Sequence, residues 1–112
     1  LGCRPYQNGF RSQSEFLLWG VKLNMQKRQT SVYLPGVFRH ATISNGKIHI
    51  TQKPLPLMQE IVQLCPDNGV VLDMFMGSGT TGVAAVQSGR QFIGMEAVPE
   101  YFDTAKQRLL TL

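Results

Sequence analysis

The chain has 112 residues, 43% of them hydrophobic, and carries a formal net charge of +4, a size and composition that fit one globular domain with a modest core. No apolar run approaches the roughly 20 residues of a membrane span, and no basic and apolar signal segment opens the chain. The two cysteines, Cys3 and Cys65, lie far apart without the spacing of a metal site, so we expect free thiols in a cytoplasmic protein that holds no metal.

The charge is unevenly distributed along the chain. Residues 1–53 carry eight lysine or arginine side chains against a single acid, Glu15, for a net charge of +7, whereas residues 54–112 carry three against six, for −3. A basic half joined to an acidic half is typical of a protein in which one half faces a polyanion. A solvated basic surface without a partner explains the charge equally well.

The first half of the chain contains few regular elements. The apolar run from Glu15 to Val21 predicts a largely buried strand. Residues 22–48 are mixed, basic and loop-like. Within or beside them, Val37–Phe38 and Ile48–Ile50 predict two further short strands.

From Pro54 onward the pattern becomes regular. Apolar residues at helical spacing follow Pro54 and Pro56, which suit the first turn of a helix. The chain then predicts, in order, a buried strand at Val70–Leu72, a helix from Val83 to about Gly89, a strand at Gln91–Met95 and a helix that opens at Pro99. Two strands joined through a helix form a βαβ unit, which implies parallel strands and a right-handed crossover.

A glycine pattern lies between the first of these strands and the helix that follows it. Gly77, Gly79 and Gly82 satisfy the GxGxxG spacing. This spacing lets the backbone turn sharply against a ligand, while the amides at the helix start favour polar or anionic groups. Glu96 ends the next strand, where a carboxylate can accept both hydroxyls of a ribose. The pattern predicts a site for an adenosine-containing cofactor, and the alternative is a turn that merely connects strand to helix.

Asp73 helps to discriminate between two classes of cofactor. It stands four positions before Gly77, at the end of the strand. Its charge would repel the pyrophosphate of a nicotinamide or flavin dinucleotide and attract the methionyl amino group of S-adenosylmethionine. A phosphate-binding P-loop is excluded because no lysine follows the glycines at the required spacing. An oxidoreductase that binds a dinucleotide stays open as the weaker alternative.

Four segments, in order, resemble one known family, the DNA amino-methyltransferases. Asp73 to Thr81 is similar to their S-adenosylmethionine-binding motif, Asp-Pro-Phe-x-Gly-Ser-Gly-Thr-Thr, with Met74 where the family prefers proline. Phe92 to Phe102 resembles the next strand and helix of the family. His49 to Pro54 resembles the segment before the cofactor strand in the permuted, β-type members, and Phe10 to Trp19 resembles a strand near their target-base pocket.

The resemblance implies an α/β fold, namely part of a Rossmann-like methyltransferase sheet with flanking helices, incomplete in this chain. It divides one partial domain into residues 1–21 with the strand near the target-base pocket, residues 22–48 as a short basic insert that faces DNA, and residues 49–112 as the S-adenosylmethionine-binding βαβ region. The implied function is methylation of the exocyclic amino group of adenine (N6) or cytosine (N4) in double-stranded DNA, as in restriction and modification.

The resemblance also implies the residues of the site. Those that would hold S-adenosylmethionine are Asp73, Phe75, Gly77, Ser78, Gly79, Thr80, Glu96, Thr51 and Lys53. Among them Glu96 would hold the ribose, and the glycine turn would face the methionine carboxylate. Plainer alternatives are a solvated lysine for Lys53, an N-cap for Thr80 and a core side chain for Phe75. In the basic insert, the candidates for contact with DNA phosphates are Lys27, Arg28, Arg39 and His40.

The catalytic motif of the family is absent from the sequence. That motif, Asp/Asn/Ser-Pro-Pro followed by an aromatic residue, clamps the flipped base and stacks on it, and this sequence contains no Pro-Pro pair. We therefore expect the back portion of a longer enzyme, or a non-catalytic cofactor-binding remnant, that transfers no methyl group by itself. The strand at Val70–Leu72 would lack its neighbour, so the expected partners besides DNA are a missing N-terminal half or another copy of the chain.

Overall fold

The computed structural model describes residues 14–22, 32–41 and 52–112. The elements in these ranges are α1 (Leu55–Ile61), a 3-10 helix (Val62–Leu64), β1 (Val70–Asp73), α2 (Thr80–Gln87), β2 (Gln91–Gly94) and α3 (Pro99–Leu110). The predicted order of helix, strand, helix, strand and helix over residues 54–112 is confirmed. The predicted strand at Ile48–Ile50 and the candidate site residues Lys27, Arg28 and Thr51 lie outside the described residues.

Proline fixes the start of α1. Pro54 takes the N-cap position, Pro56 stands in the first turn, and the Met58 amide donates to the Pro54 carbonyl at 3.2 Å. Prolines are tolerated there because the first amides of a helix have no acceptor within it. After the 3-10 helix, Cys65 returns to an extended conformation and the Gly69 amide closes a turn on Pro66 at 2.9 Å, which leads the chain into β1.

The two strands and α2 form the predicted parallel βαβ unit. β1 and β2 pair in parallel, with Val70 opposite Gln91 and Asp73 opposite Gly94. Half of the buried apolar side chains of the described ranges lie on α2, namely Val83, Ala84 and Ala85, and the last two are fully buried. The unit is therefore organised around α2, and it brings the carboxyl ends of both strands to the same edge of the sheet.

Only one face of this two-stranded sheet is covered by described residues. Val70, Leu72 and Ile93, which share a face, are 52%, 55% and 52% exposed, whereas Val71 and Phe92 on the opposite face are half-buried. The predicted parallel strand at Val70–Leu72 is confirmed, but the expectation that it is buried is wrong, because burial alternates along it. A parallel strand is buried on both sides only where other elements cover both faces of its sheet.

The predicted strand from Glu15 to Val21 is also wrong. The structure assigns no strand to it, and Phe16 and Leu18 are 94% and 96% exposed. A strand is stabilised when a second strand satisfies its backbone groups, and the described sheet consists of β1 and β2 alone. Val37–Phe38 likewise forms no strand. In both segments the apolar pattern is present but the pairing partner is not among the described residues.

Arg90 joins the end of α2 to the loop that precedes β1. Its buried guanidinium donates to the Cys65 carbonyl at 3.1 and 3.2 Å, to the Ser88 carbonyl and, at 3.4 Å, to the Gln63 side chain. It also forms an ion pair with Asp67 at 3.1 Å. A cation is favourable at this position because the C-terminal end of a helix carries a partial negative charge. Arg90 thereby fixes the segment that leads into β1.

No helix within residues 14–22, 32–41 and 52–112 is both long and apolar enough to cross a membrane. The same three ranges hold no group of three His, Cys, Asp or Glu side chains placed to bind a metal ion.

Candidate functional site

A cleft opens at the carboxyl end of β1, where ligands bind in open α/β sheets. The residues that line it are Gln52, Lys53, Asp73, Phe75, Met76, Ser78, Thr80 and Thr81. Five of these belong to the site that the sequence predicts, and Gln52, Met76 and Thr81 are additions. Gln52 and Thr81 lie inside the motif segments, so their neighbours already pointed to them.

The glycine turn is held by backbone hydrogen bonds at both ends. The Met76 amide donates to the Met95 carbonyl at 2.9 Å, and the Met95 amide donates to the Asp73 carbonyl at the same distance. The Gly79 amide donates to the Met76 carbonyl at 2.8 Å. Gly77 and Gly79 both adopt positive φ, at 53° and 78°, a region that glycine enters at little cost. The turn is therefore locked to the end of β2.

The three glycines of the pattern serve different purposes. A Cβ at Gly77 would meet no atom within 4 Å, so the space beside this residue is open. A Cβ at Gly79 would lie 2.9 Å from the Cβ of Ala105, and one at Gly82 would lie 2.5 Å from the Phe92 ring. Only the Gly77 position leaves room for a ligand, whereas Gly79 and Gly82 permit close packing within the protein.

Glu96 and the glycine turn meet at one point. The Oε2 atom of Glu96 accepts a hydrogen bond from the Gly77 amide at 2.9 Å, and its Oε1 atom accepts one from the Val98 amide at 2.9 Å. Each oxygen of the Glu96 carboxylate is thus oriented by a backbone amide. The structure therefore places Glu96, the residue predicted to bind the ribose, beside Gly77.

The N-terminus of α2 faces the same region. Gly79 is the N-cap, in the left-handed conformation, and no side chain caps the helix. The Val83 amide is the one that bonds back to the Gly79 carbonyl, at 3.0 Å, so the amides of the residues before it in α2 have no acceptor within the helix. Thr80 is the first helical residue, which makes its interpretation as an N-cap wrong. Unpaired helix-start amides and the helix dipole favour an anionic group.

Asp73 and Phe75 stand at the mouth of the cleft. The Oδ1 atom of Asp73 accepts a hydrogen bond from the Phe75 amide at 3.0 Å, which orients the carboxylate at the end of β1. Phe75 is 86% exposed, so the alternative that it is a core side chain is wrong. An exposed aromatic ring beside a fixed carboxylate offers a stacking surface and a negative charge to a ligand in the cleft.

Arg108, on α3, contacts the glycine turn and was missed by the sequence reasoning. Its Nη1 atom donates to the Ser78 carbonyl and lies 3.3 Å from the Ser78 hydroxyl and 3.4 Å from the Thr80 hydroxyl. Burial lowers the pKa of Arg108, although arginine stays a cation at neutral pH. Helical spacing was the one hint of this contact in the sequence. Arg108 stands three residues after Ala105 and therefore shares the face of α3 that packs on Gly79.

Two basic residues that the sequence assigns to the site, Lys53 and His40, pair with acidic side chains. Lys53 is hydrogen-bonded to Glu15, and this bond and the charge of Lys53 hold the pKa of Glu15 below its ordinary value. His40 lies 2.7 Å from the Glu60 carboxylate of α1 and is largely shielded from solvent. Of the two candidates for phosphate contact in the described ranges, Arg39 is exposed and His40 is engaged with an acid.

The glycine turn, the acidic residue at the end of β2 and the βαβ topology define a class of nucleoside-cofactor-binding α/β proteins. Within that class, residues 11–107 match the family model N6_N4_Mtase, described as DNA methylase. The chain therefore belongs to the N6/N4 DNA methylase family, as the resemblance of its motifs implied. This membership leaves the dinucleotide oxidoreductase alternative without support.

Two type II methyltransferases with similar sequences support the assignment of the chain to this family. The chain is 40% identical over 126 residues to the type II methyltransferase M2.DpnII of Streptococcus pneumoniae, an alignment that covers 97% of this chain and 45% of the relative. It is 39% identical over 92 residues to the type II methyltransferase M.HinfI of Haemophilus influenzae, covering 78% of this chain and 26% of the relative. The chain thus spans less than half the length of these relatives.

Solved structures confirm the fold class. The M1.HpyAVI–SAM complex is 53% identical, with a TM-score of 0.54, over 56% of this chain and 32% of that one. PvuII DNA methyltransferase, described as cytosine-N4-specific, is 33% identical, with a TM-score of 0.52, over 55% of this chain and 22% of that one. The α/β arrangement described above is therefore part of a Rossmann-like methyltransferase fold.

Proposed function

We propose that this chain is the S-adenosylmethionine-binding portion of a cytoplasmic DNA methyltransferase that acts on the exocyclic amino group of adenine (N6) or cytosine (N4). The observation that carries the proposal is the hydrogen bond between the Glu96 carboxylate and the Gly77 amide, beside the uncapped start of α2. Family membership and a structural relative described as a SAM complex support the same cofactor.

Each part of S-adenosylmethionine has a chemically suitable group among the cleft-lining residues or at the adjoining contact between Glu96 and Gly77. Glu96, oriented by two amides, would accept the ribose hydroxyls. The start of α2 would receive the methionine carboxylate, and Asp73 would attract the positively charged methionyl amino group. Phe75 offers a ring against the adenosine. The open space at the missing Cβ of Gly77 is where the cofactor would lie against the backbone.

When bound, S-adenosylmethionine supplies an electrophilic methyl group on a sulfonium, and the residues of this chain bind and orient it. They do not include the Pro-Pro-aromatic motif that the family uses to hold the target base, since the sequence lacks any Pro-Pro pair. We infer that this motif comes from an N-terminal portion that completes the enzyme, because a second copy of the chain would lack the Pro-Pro pair as well. The exposed Arg39, with Lys27 and Arg28, would contact phosphates of double-stranded DNA.

Calorimetry with S-adenosylhomocysteine and with NAD tests the cofactor assignment. We expect the 112-residue chain to bind the first and to give no heat with the second at the same concentration. Binding of NAD with equal affinity, or of neither ligand, would contradict the proposal. A separate assay with labelled S-adenosylmethionine and DNA tests the catalytic part, and we expect no methyl transfer by this chain alone.

A further inference from the structure

We propose that Arg108 is a positioning residue that holds the glycine turn in the shape required to recognise the amino-acid end of the cofactor. This inference rests on the proposed function. Arg108 lies on α3 and contacts Ser78 and Thr80 of the turn. It would therefore act on the cofactor through these two residues and not by direct contact.

Two contacts from the same face of α3 fix the turn. Ala105 packs so closely on Gly79 that a Cβ on that glycine would lie 2.9 Å from the Ala105 Cβ. One helical turn later, Arg108 donates to the carbonyl of Ser78, the residue just before Gly79. A steric contact and a charge-assisted hydrogen bond therefore act on adjacent residues, and charge-assisted bonds are roughly twice as strong as neutral ones.

The peptide between Ser78 and Gly79 is held at both of its polar ends. Its carbonyl accepts from Arg108, and its amide donates to the Met76 carbonyl at 2.8 Å. Because the peptide group is planar, fixing both ends fixes the plane that leads into Thr80, the first residue of α2. The direction of the α2 start, and hence of its unpaired amides, depends on that plane.

Arg108 also determines how the two buried hydroxyls of the turn can be used. Ser78 and Thr80 both line the cleft, and both hydroxyl oxygens lie within 3.4 Å of the Arg108 guanidinium. Guanidinium can only donate. Each hydroxyl oxygen therefore accepts from Arg108. This leaves the hydroxyl hydrogen free to point into the cleft, where it can donate to the carboxylate of the cofactor.

A comparison of two ligands separates this role from a general structural one. S-adenosylhomocysteine carries the amino-acid end, whereas 5′-methylthioadenosine has the same adenosine and sulfur without that end. We expect Arg108→Met to weaken S-adenosylhomocysteine about tenfold by calorimetry and 5′-methylthioadenosine by less than about twofold, as for loss of one charge-assisted bond. Arg108→Lys, which keeps one charged donor for the Ser78 carbonyl, should recover part of the lost affinity.

Lys106→Met provides the matched control, since it removes a positive charge from an exposed position on the same helix, and both affinities should be unchanged. Equal weakening of the two ligands by Arg108→Met, or no recovery in Arg108→Lys, would overturn the role of Arg108. If circular dichroism shows that Arg108→Met does not fold, the affinities for the two ligands are compared between Arg108→Lys and the wild type instead. A wild-type chain that binds neither ligand would instead overturn the proposed function.

Discussion

Glu96 and Gly77, separated by 19 residues in the chain, are joined by a hydrogen bond of 2.9 Å between a carboxylate oxygen and a backbone amide. This bond links the end of β2 to the turn that follows β1, so the two halves of the candidate cofactor site are already assembled. A site whose groups are held in place before the ligand arrives loses less conformational entropy on binding.

The first prediction concerns the carboxylate of Glu96. Glu96→Gln keeps the size of the side chain but replaces a charged acceptor with an amide that has only one acceptor oxygen. We expect S-adenosylhomocysteine to bind about 10- to 100-fold more weakly, since hydrogen bonds to charged groups contribute roughly 1.5–3 kcal/mol. Calorimetry measures this directly. Glu100→Gln, at an exposed position four residues later, is the control, and equal losses in both variants would contradict the assignment.

The second prediction compares alanine at two glycines of the GxGxxG pattern, Gly77 in the turn and Gly82 in α2. Gly77→Ala meets open space but must adopt a φ of 53°, which costs about 1–2 kcal/mol, and its methyl group enters the region assigned to the cofactor. Gly82→Ala would place its methyl group 2.5 Å from the Phe92 ring, and such overpacking typically costs about 1–3 kcal/mol.

We therefore expect Gly77→Ala to fold but to lose cofactor affinity, whereas Gly82→Ala should lose stability and, where folded, retain affinity. Urea denaturation gives the stability and calorimetry gives the affinity of each variant. If Gly77→Ala binds S-adenosylhomocysteine as the wild type does, the cofactor does not lie against that residue.

The third prediction concerns stability at Arg90. This buried guanidinium contacts Cys65, Ser88, Gln63 and Asp67. Arg90→Met fills much of the same volume but leaves the Cys65 and Ser88 carbonyls without this donor. We expect a loss of about 2–4 kcal/mol in the free energy of unfolding, measured in urea. Arg39→Met, at an exposed position, should change it by less than about 0.5 kcal/mol.

The fourth prediction concerns pH and the contact between Glu15 and Lys53. The hydrogen bond from Lys53, and then its charge, lower the pKa of Glu15 from its ordinary value of 4.5. A carboxyl group whose pKa is lower in the folded protein contributes stability above its unfolded pKa, and this stability is lost as the pH falls through the folded pKa. The contact should therefore open in acid, below the ordinary pKa of a glutamate.

Carboxyl chemical shifts in a pH titration by NMR measure this pKa. The Glu15 signal should titrate below that of a free glutamate in the wild type and return to the ordinary value in Lys53→Met. Added salt should reduce the difference, because both side chains are largely exposed. A Glu15 pKa that does not respond to Lys53→Met would show that the contact is absent in solution.

The parts of the fold that the sequence predicted correctly are those that local chemistry decides. Pro54 marks the start of α1, and the glycines of the turn require positive φ, so short windows of sequence carry the information. The strand predicted at Glu15–Val21 was wrong because pairing depends on a distant partner that no local pattern reveals. The alternating exposure of β1 was missed for the same reason, since coverage of a face depends on other elements.

The residues of the candidate site likewise divide into those that local sequence reveals and those that depend on tertiary packing. Motif spacing was enough to place Asp73 at the end of β1, Gly77 in the turn that follows it and Glu96 just after β2. Arg108 could not be placed in this way, because its contact with Ser78 spans 30 residues and depends on how α3 packs. His40 was expected to face DNA phosphates, but its proximity to Glu60 arises from tertiary contact with α1 and has no signature in the sequence.

The open face formed by Val70, Leu72 and Ile93 has a consequence for the protein in solution. Apolar side chains on a sheet gain free energy when they are removed from water, at roughly 25 cal/mol for each Å² covered. If a second copy of the chain covers them, the folded state is stabilised by mass action, and the melting temperature then rises with the concentration of the chain. Thermal stability measured at a single dilution would describe that dilution rather than an intrinsic property of the fold.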